Sequence, residues 1–276
     1  MSGFAVVFRA DVSETLRARW YQVYIAAFAL LMGLFFAFGL GDSSVMGFVG
    51  IGRILMTFIQ IAMIILPIFV LVTTARTLVG DRELGVWEYL LALPLGLKSF
   101  YWGKTLGRVT ALAVPLCLGV LLAGGFEALG GGKVPWGAVA LIGLFIGAMV
   151  ACFVGVAILV SVVAPTQEIA LGAAFVLWLA SEAMIDALLL GLLVKQRLPP
   201  EVVVGLALLN PLQAFRTASI ALFDPELTVF GPISLTILET YGRAPLLAWA
   251  ALWPLVLGTA AALLGAWLFV RKDVTA

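Results

Sequence analysis

Six long apolar runs, separated by Gly, Pro or clusters of charge, govern what this chain can fold into. A bilayer core takes about 20 apolar residues per spanning helix. The runs at residues 20–40, 54–74, 106–126, 136–163, 169–194 and 246–270 each reach that length. With 63% hydrophobic and 11% charged residues and a mean hydropathy of +1.17, the chain cannot wrap such runs in a charged shell. A β-barrel requires segments of about 10 residues that alternate in polarity, and no stretch alternates over that length. The sequence therefore predicts an all-α integral membrane protein, residues 1–276 forming a single transmembrane domain of about six helices.

Several function classes fall away on composition. The net charge is +1 and the Lys and Arg are scattered, without the clustered basic face that nucleic-acid binding needs. His is absent, which removes the commonest general base and the commonest neutral metal ligand. Cys117 and Cys152 lie inside apolar runs, where a thiol behaves as a small hydrophobe, and imply no disulfide framework. Gly103-Lys104-Thr105 has the form of the end of a phosphate-binding loop, but Lys98 stands where its first Gly is required. No catalytic, metal or cofactor site is expected on this chain. The amino terminus lacks the signal-peptide form, so the first run is read as a retained span.

Residues 1–19 pattern as a helix in the membrane interface, with Phe4, Phe8, Val12 and Leu16 on one side and Arg9, Ser13 and Arg17 on another. The same residues also fit a plain basic flank of the first span. Pro67 predicts a bend in the second span. In the fourth, Gly143, Gly147, Ala151 and Gly155 recur every fourth position and form a stripe for close helix packing. Residues 195–245, with Asn210-Pro211 as a turn, read as an external segment of short helices, since residues 202–209 are too few to cross a bilayer. An inside amino terminus places Arg9, Arg17, Arg19, Arg76, Arg82, Lys98, Lys104, Arg108, Arg271 and Lys272 in the cytoplasm. Six cations remain outside, so ten against six agrees with the positive-inside rule.

Two constellations stand out. Residues 77–98 form a polar island between the second and third runs. There Gly80 and Asp81 are expected to start a short helix, Asp81 and Glu83 suit its first turn, and Pro94 and Gly96 stop it. Leu84, Trp87 and Leu91 would share its apolar face, and Asp81, Arg82, Glu88 and Tyr89 its polar one. This pattern fits docking into a groove of another protein and fits lying on lipid equally well. The second constellation is Glu182 and Asp186, four apart in the fifth run. Acids in a span cost about 2.5–3.5 kcal/mol at its centre, so they should line a polar pathway, a partner charge or a dimer axis, or else sit at the outer water boundary.

The island run from Gly80 through Pro94, with Gly103-Lys104 after it, resembles the cytoplasmic-loop signature of ABC-2 type exporter permeases. Val86 replaces the usual Thr. The return at residues 161–168 resembles that family's entry to its fifth span. Within the family, the six-span build and Asn210-Pro211 followed by Ala214-Phe215-Arg216 look most like the branch serving maturation of nitrous oxide reductase. The resemblance implies a bacterial or archaeal cytoplasmic membrane location, both termini inside, and two permease copies driven by a separate ATPase that holds ATP and Mg. Residues 77–98 would be the coupling helix, with Asp81, Arg82, Glu83, Gly85, Trp87 and Glu88 meeting the ATPase. A periplasmic accessory protein would sit on the external segment at Asn210, Pro211, Phe215 and Arg216. Its cargo would be a small sulfur or copper-related species, although no Cys, His or Met ladder lines a route for metal.

Two other readings stay open. Glu182 and Asp186 could serve an intramembrane enzyme, though both acids lie on one helix rather than on two. The chain could also be a non-transporting anchor that passes force to an external partner.

Overall fold

The computed structural model describes residues 3–19, 21–26, 29–30, 63–86, 96–129, 136–184, 191, 199–223, 227 and 238–271, and its regular elements are helical. We number them α1 (Gly3–Arg17), α2 (Met63–Glu83), α3 (Leu97–Leu129), α4 (Trp136–Val163) and α5 (Gln167–Leu179), which runs on into a π-helical turn at Ala180–Met184. Two short helices, α6 (Pro200–Leu208) and α7 (Pro211–Phe223), precede the long α8 (Arg243–Arg271). Among the described residues four helices are long and apolar enough to cross a membrane: α2, the Leu97–Leu122 part of α3, α4 and α8. The first expected span is described at residues 21–26 and 29–30, and the fifth as far as Met184 and at residue 191.

A helix apolar on every side belongs at the centre of a bundle, and α4 takes that place, against α8 and α3 along its length and with α2, α5 and α7 at its margins. The α4–α8 contact is made by backbone. A Cβ on Gly155 would fall 2.0 Å from the Gly258 carbonyl oxygen, and one on Gly258 would fall 2.5 Å from Cys152 Cα. Small residues allow that approach where no hydrophobic drive separates helix from lipid. The small-residue stripe is thus engaged at its Gly155 end, while a Cβ on Gly143 or Gly147 would meet no described atom within 4 Å. Further along α8, Gly265 leaves room for the Tyr101 ring, whose hydroxyl donates to the Ala262 carbonyl at 2.7 Å. Four threonine hydroxyls bond within their own helix: Thr73, Thr105, Thr110 and Thr259 donate to carbonyls four residues back at 2.7–2.8 Å.

Two elements depart from expectation. The third helix begins at Leu97, well before residue 106, and runs unbroken through Pro115. At 1.5 Å per residue its 33 residues extend about 50 Å, more than a hydrocarbon core of about 30 Å. Its first turns, bearing Lys98, Lys104 and Arg108, therefore extend past the apolar layer. The segment expected to lie on the outer surface is instead packed inward, because α7 seats Leu212, Phe215, Ala218 and Ala221 in the core against α4 and α8.

Candidate functional site

The site is the end of the bundle where α2 stops, α3 starts and α4 turns into α5. Gly80 and Asp81 do not start a helix here. They lie inside the last two turns of α2, which ends at Glu83. Gly85 is what ends it: at φ +70° it takes the left-handed conformation favoured after a helix, and the Leu84 and Gly85 amides bond back to the carbonyls of Gly80 (3.0 Å) and Arg82 (3.1 Å). Leu84 is left 76% exposed at the tip. Trp87 and Glu88 fall outside the described residues.

One turn earlier α2 is irregular at Arg76, which frees backbone donors. The Ser161 hydroxyl of α4 takes two of them, from Leu78 (2.9 Å) and Val79 (3.0 Å). Acids at a helix C-terminus oppose its dipole, so Asp81 and Glu83 need outside partners and have them. The Lys104 ammonium pairs with Asp81. Glu83 reaches the start of α5, accepting from the Gln167 backbone (2.9 Å) and side-chain amide (2.6 Å). A carboxylate at the α5 N-terminus joins the Thr166 side chain, which accepts from the Ile169 amide at 3.3 Å. Arg82 donates to the carbonyls of Ala164 (2.8 Å) and Pro165, which follow the end of α4, and Arg76 donates to Gln167 at 3.2 Å. The bare face of Gly80 lies 3.4 Å from the Gln167 side chain. The tip of α2 and the α4–α5 turn are thus joined by charged and amide side chains more than 80 residues apart in sequence.

Beside this lies a second polar seam. The buried row of α1 is Val7, Asp11 and Thr15 rather than the Phe4, Phe8, Val12 and Leu16 row. Asp11 accepts from Arg108 of α3 at 3.1 Å, and both are buried, 1% and 7% exposed. Burial raises the Asp11 carboxyl from its ordinary value, and the Arg108 and Lys104 cations pull against that rise. Ser161, Gln167, Asp11 and Arg108 are residues for which the sequence offered no role. Each works through a partner distant in the chain, and no spacing rule reports that.

At the opposite end Glu182 is half-buried in the π turn. Asp186 itself lies outside the described residues. Asn210, 3% exposed, does not reach outward: its oxygen accepts from the Leu212 amide (3.0 Å), starting α7 with Pro211 at the first position, and its amide donates to the Ser181 carbonyl in the π turn. Pro211 is buried, Phe215 is 5% exposed against Phe145, and Arg216 is half-buried with a buried Nε. Within this chain the group packs inward, and the Asn210 cap of α7 meets the π turn. Trp249 and Trp253, stacked with centroids 5.2 Å apart, complete this end by donating to the Leu208 (2.8 Å) and Leu209 (2.7 Å) carbonyls.

A helical membrane bundle with an exposed Gly-ended tip, stitched to the next interhelical turn, is the form of a permease subunit. The chain belongs to the ABC-2 family transporter protein family, whose model matches residues 5–274. It is similar to the probable ABC transporter permease protein NosY of Pseudomonas aeruginosa, 29% identical over 226 residues, covering 78% of this chain and 81% of the relative. It is also similar to the protein of the same name from Stutzerimonas stutzeri, 27% identical over 239 residues, covering 82% and 84%. The chain is therefore the membrane subunit of an ABC transporter, an inner membrane protein whose family implies an ABC ATPase as partner.

Proposed function

We propose that the chain is a homodimeric permease worked through residues 77–98, the coupling element between spans two and three, by a separate cytoplasmic ATPase that holds ATP and Mg. The observation that carries this is the tip itself. Leu84 stands exposed beyond Glu83, and everything beneath it is tied to the α4–α5 turn by Arg82, Glu83 and Gln167. Force applied at the tip is thereby delivered to two interhelical connections rather than to one. Asp81, Arg82 and Glu83 act on the inner side of this joint, Gly85 sets the direction in which the chain leaves α2, and Trp87 and Glu88 complete the face offered to the ATPase. Both termini are then cytoplasmic.

The relatives are named probable ABC transporter permease protein NosY, and the branch resembled by sequence is the one serving maturation of nitrous oxide reductase. On that footing the complex serves metalloenzyme maturation, with a periplasmic accessory protein at the α6–α7 end. That contact is assigned to Asn210, Pro211, Phe215 and Arg216, beside the exposed residues of α6 such as Val202 and Leu206. Glu182 and Asp186 are assigned to the pathway or dimer axis.

The deciding experiment is reconstitution with a partner ABC ATPase. Replacing Asp81 and Glu88 by Lys should abolish coupled ATP hydrolysis while membrane insertion is retained. Unchanged coupled activity would overturn the assignment, and turnover by the purified chain without an ATPase, lost in Glu182→Gln, would favour an intramembrane enzyme instead.

A further inference from the structure

The geometry points to α1 as a second limb of the coupling end, clamped by the pairs Asp11–Arg108 and Asp81–Lys104 so that it is displaced together with the tip of α2. This rests on the coupling role proposed above for that tip.

Lys104 and Arg108 are four apart and so project from one side of α3. Their partners come from two different elements: Asp81 from the last turn of α2, Asp11 from the middle of α1. Each acid also lies in the field of the other's cation, so the four charges form one alternating group carried by one turn of α3.

Packing makes the clamp tight. A Cβ on Gly103 would fall 2.8 Å from Val7 Cβ and 3.3 Å from the Phe4 carbonyl oxygen. One on Gly107 would fall 3.0 Å from Asp11 Cβ and 3.2 Å from the Phe8 carbonyl oxygen. The contacts advance together along both chains, so α1 lies beside the first turns of α3 and runs in the same direction. The two glycines let Val7 and Asp11 of α1 seat directly against the backbone of α3.

The buried row of α1 is also selective. Asp11 and Thr15 would be wasted against lipid, and an acid facing a cation fixes which helix is met and in which register. The opposite side of α1, with Val6 and Arg9 exposed, is left to follow wherever α3 goes. A displacement of the Asp81 turn pulls on Lys104, and a displacement of α3 carries Arg108, Gly107 and hence α1.

Hydrogen exchange on the full chain in nanodiscs tests the clamp without any ATPase. Asp11→Asn should raise amide exchange tenfold or more both in residues 3–17 and in residues 77–86. Faster exchange confined to residues 3–17 would overturn the proposal, as would no change in either segment. If Asp11→Asn does not accumulate, Arg108→Gln is read by the same criterion. The reversed pair Asp11→Arg with Arg108→Asp should bring both segments back to within threefold of the parent, which a loss of mere packing would not do. In the reconstituted complex Asp11→Asn should lower permease-stimulated ATP hydrolysis about fivefold. A clamp that holds by exchange while Leu84→Asp leaves ATP hydrolysis unchanged would reject the coupling role and keep the clamp; loss of hydrolysis in Leu84→Asp with no exchange coupling would do the reverse.

Discussion

The two ends of this bundle are joined by different chemistry. At the α1 end, contacts distant in sequence are made mainly by ions, with the Ser161 hydroxyl beside them: Arg82 on backbone carbonyls, Glu83 on an amide and a helix start, Asp11 on Arg108 and Asp81 on Lys104. At the α7 end the same task falls to neutral groups: Asn210 on Ser181, Trp249 and Trp253 on the carbonyls after α6, and Tyr241 on the Glu201 carbonyl at 3.0 Å. Neutral bonds are long-lived where water is scarce, because leaving their partners unpaired is costly. Ionic bonds beside water can be weakened by salt and re-formed. The two ends should therefore differ in how they respond to salt.

This contrast can be broken by measurement. The largest effect is expected from neither end but from the crossing both depend on. Gly258→Val would press a side chain into Cys152 Cα, and no folded protein should be recovered in a detergent-stability assay. Next, Asn210→Ala leaves the Leu212 amide and the Ser181 carbonyl buried without partners and should cost about 2–3 kcal/mol in reversible unfolding. Arg82→Ala should cost about 1.5–2 kcal/mol, and its effect should shrink as salt is raised from 0.1 to 1 M, by about the ratio of the Debye lengths, while that of Asn210→Ala stays constant. Equal salt responses at the two sites would remove the distinction. Trp249→Phe loses one hydrogen bond but keeps most of the ring, a change of about 1 kcal/mol. Leu84→Ser should leave stability within about 0.5 kcal/mol, because the side chain touches little of its own chain, yet reduce ATPase stimulation.

Legibility in the sequence followed the range of the interaction. Apolar runs revealed the spans because burial in a bilayer is a property of contiguous residues, and α4 occupies residues 136–163 as expected. Punctuation was harder. Gly80 reads as a breaker, yet it is a helical residue beside Gln167, while Gly85 performs the break. Asn210-Pro211 reads as a surface turn, although the same dipeptide is an N-cap followed by the residue best suited to the first helical position. The apolar content of residues 212–221 was the signal that the turn lay inside. For α1 the apolar row reads as the lipid side of an interfacial helix, but Asp11 meets its partner 97 positions away, and only the fold brings them together.

The π turn at Ala180–Met184 carries a consequence for how this chain tolerates deletions. An i→i+5 turn holds one more residue than an α turn while the helix on either side keeps its place. Excising one residue between 180 and 184 should therefore regularise α5 and yield a protein that still inserts, with the Ser181 carbonyl returned to its own helix and Asn210 released. The same excision a few residues earlier, between Ile169 and Phe175, would turn all that follows by about 100° and tear Trp178 from the Ile64 carbonyl it now reaches at 3.1 Å. A scan of single-codon deletions along this helix should show one tolerant window five residues wide, and its position would be an independent reading of the irregular turn.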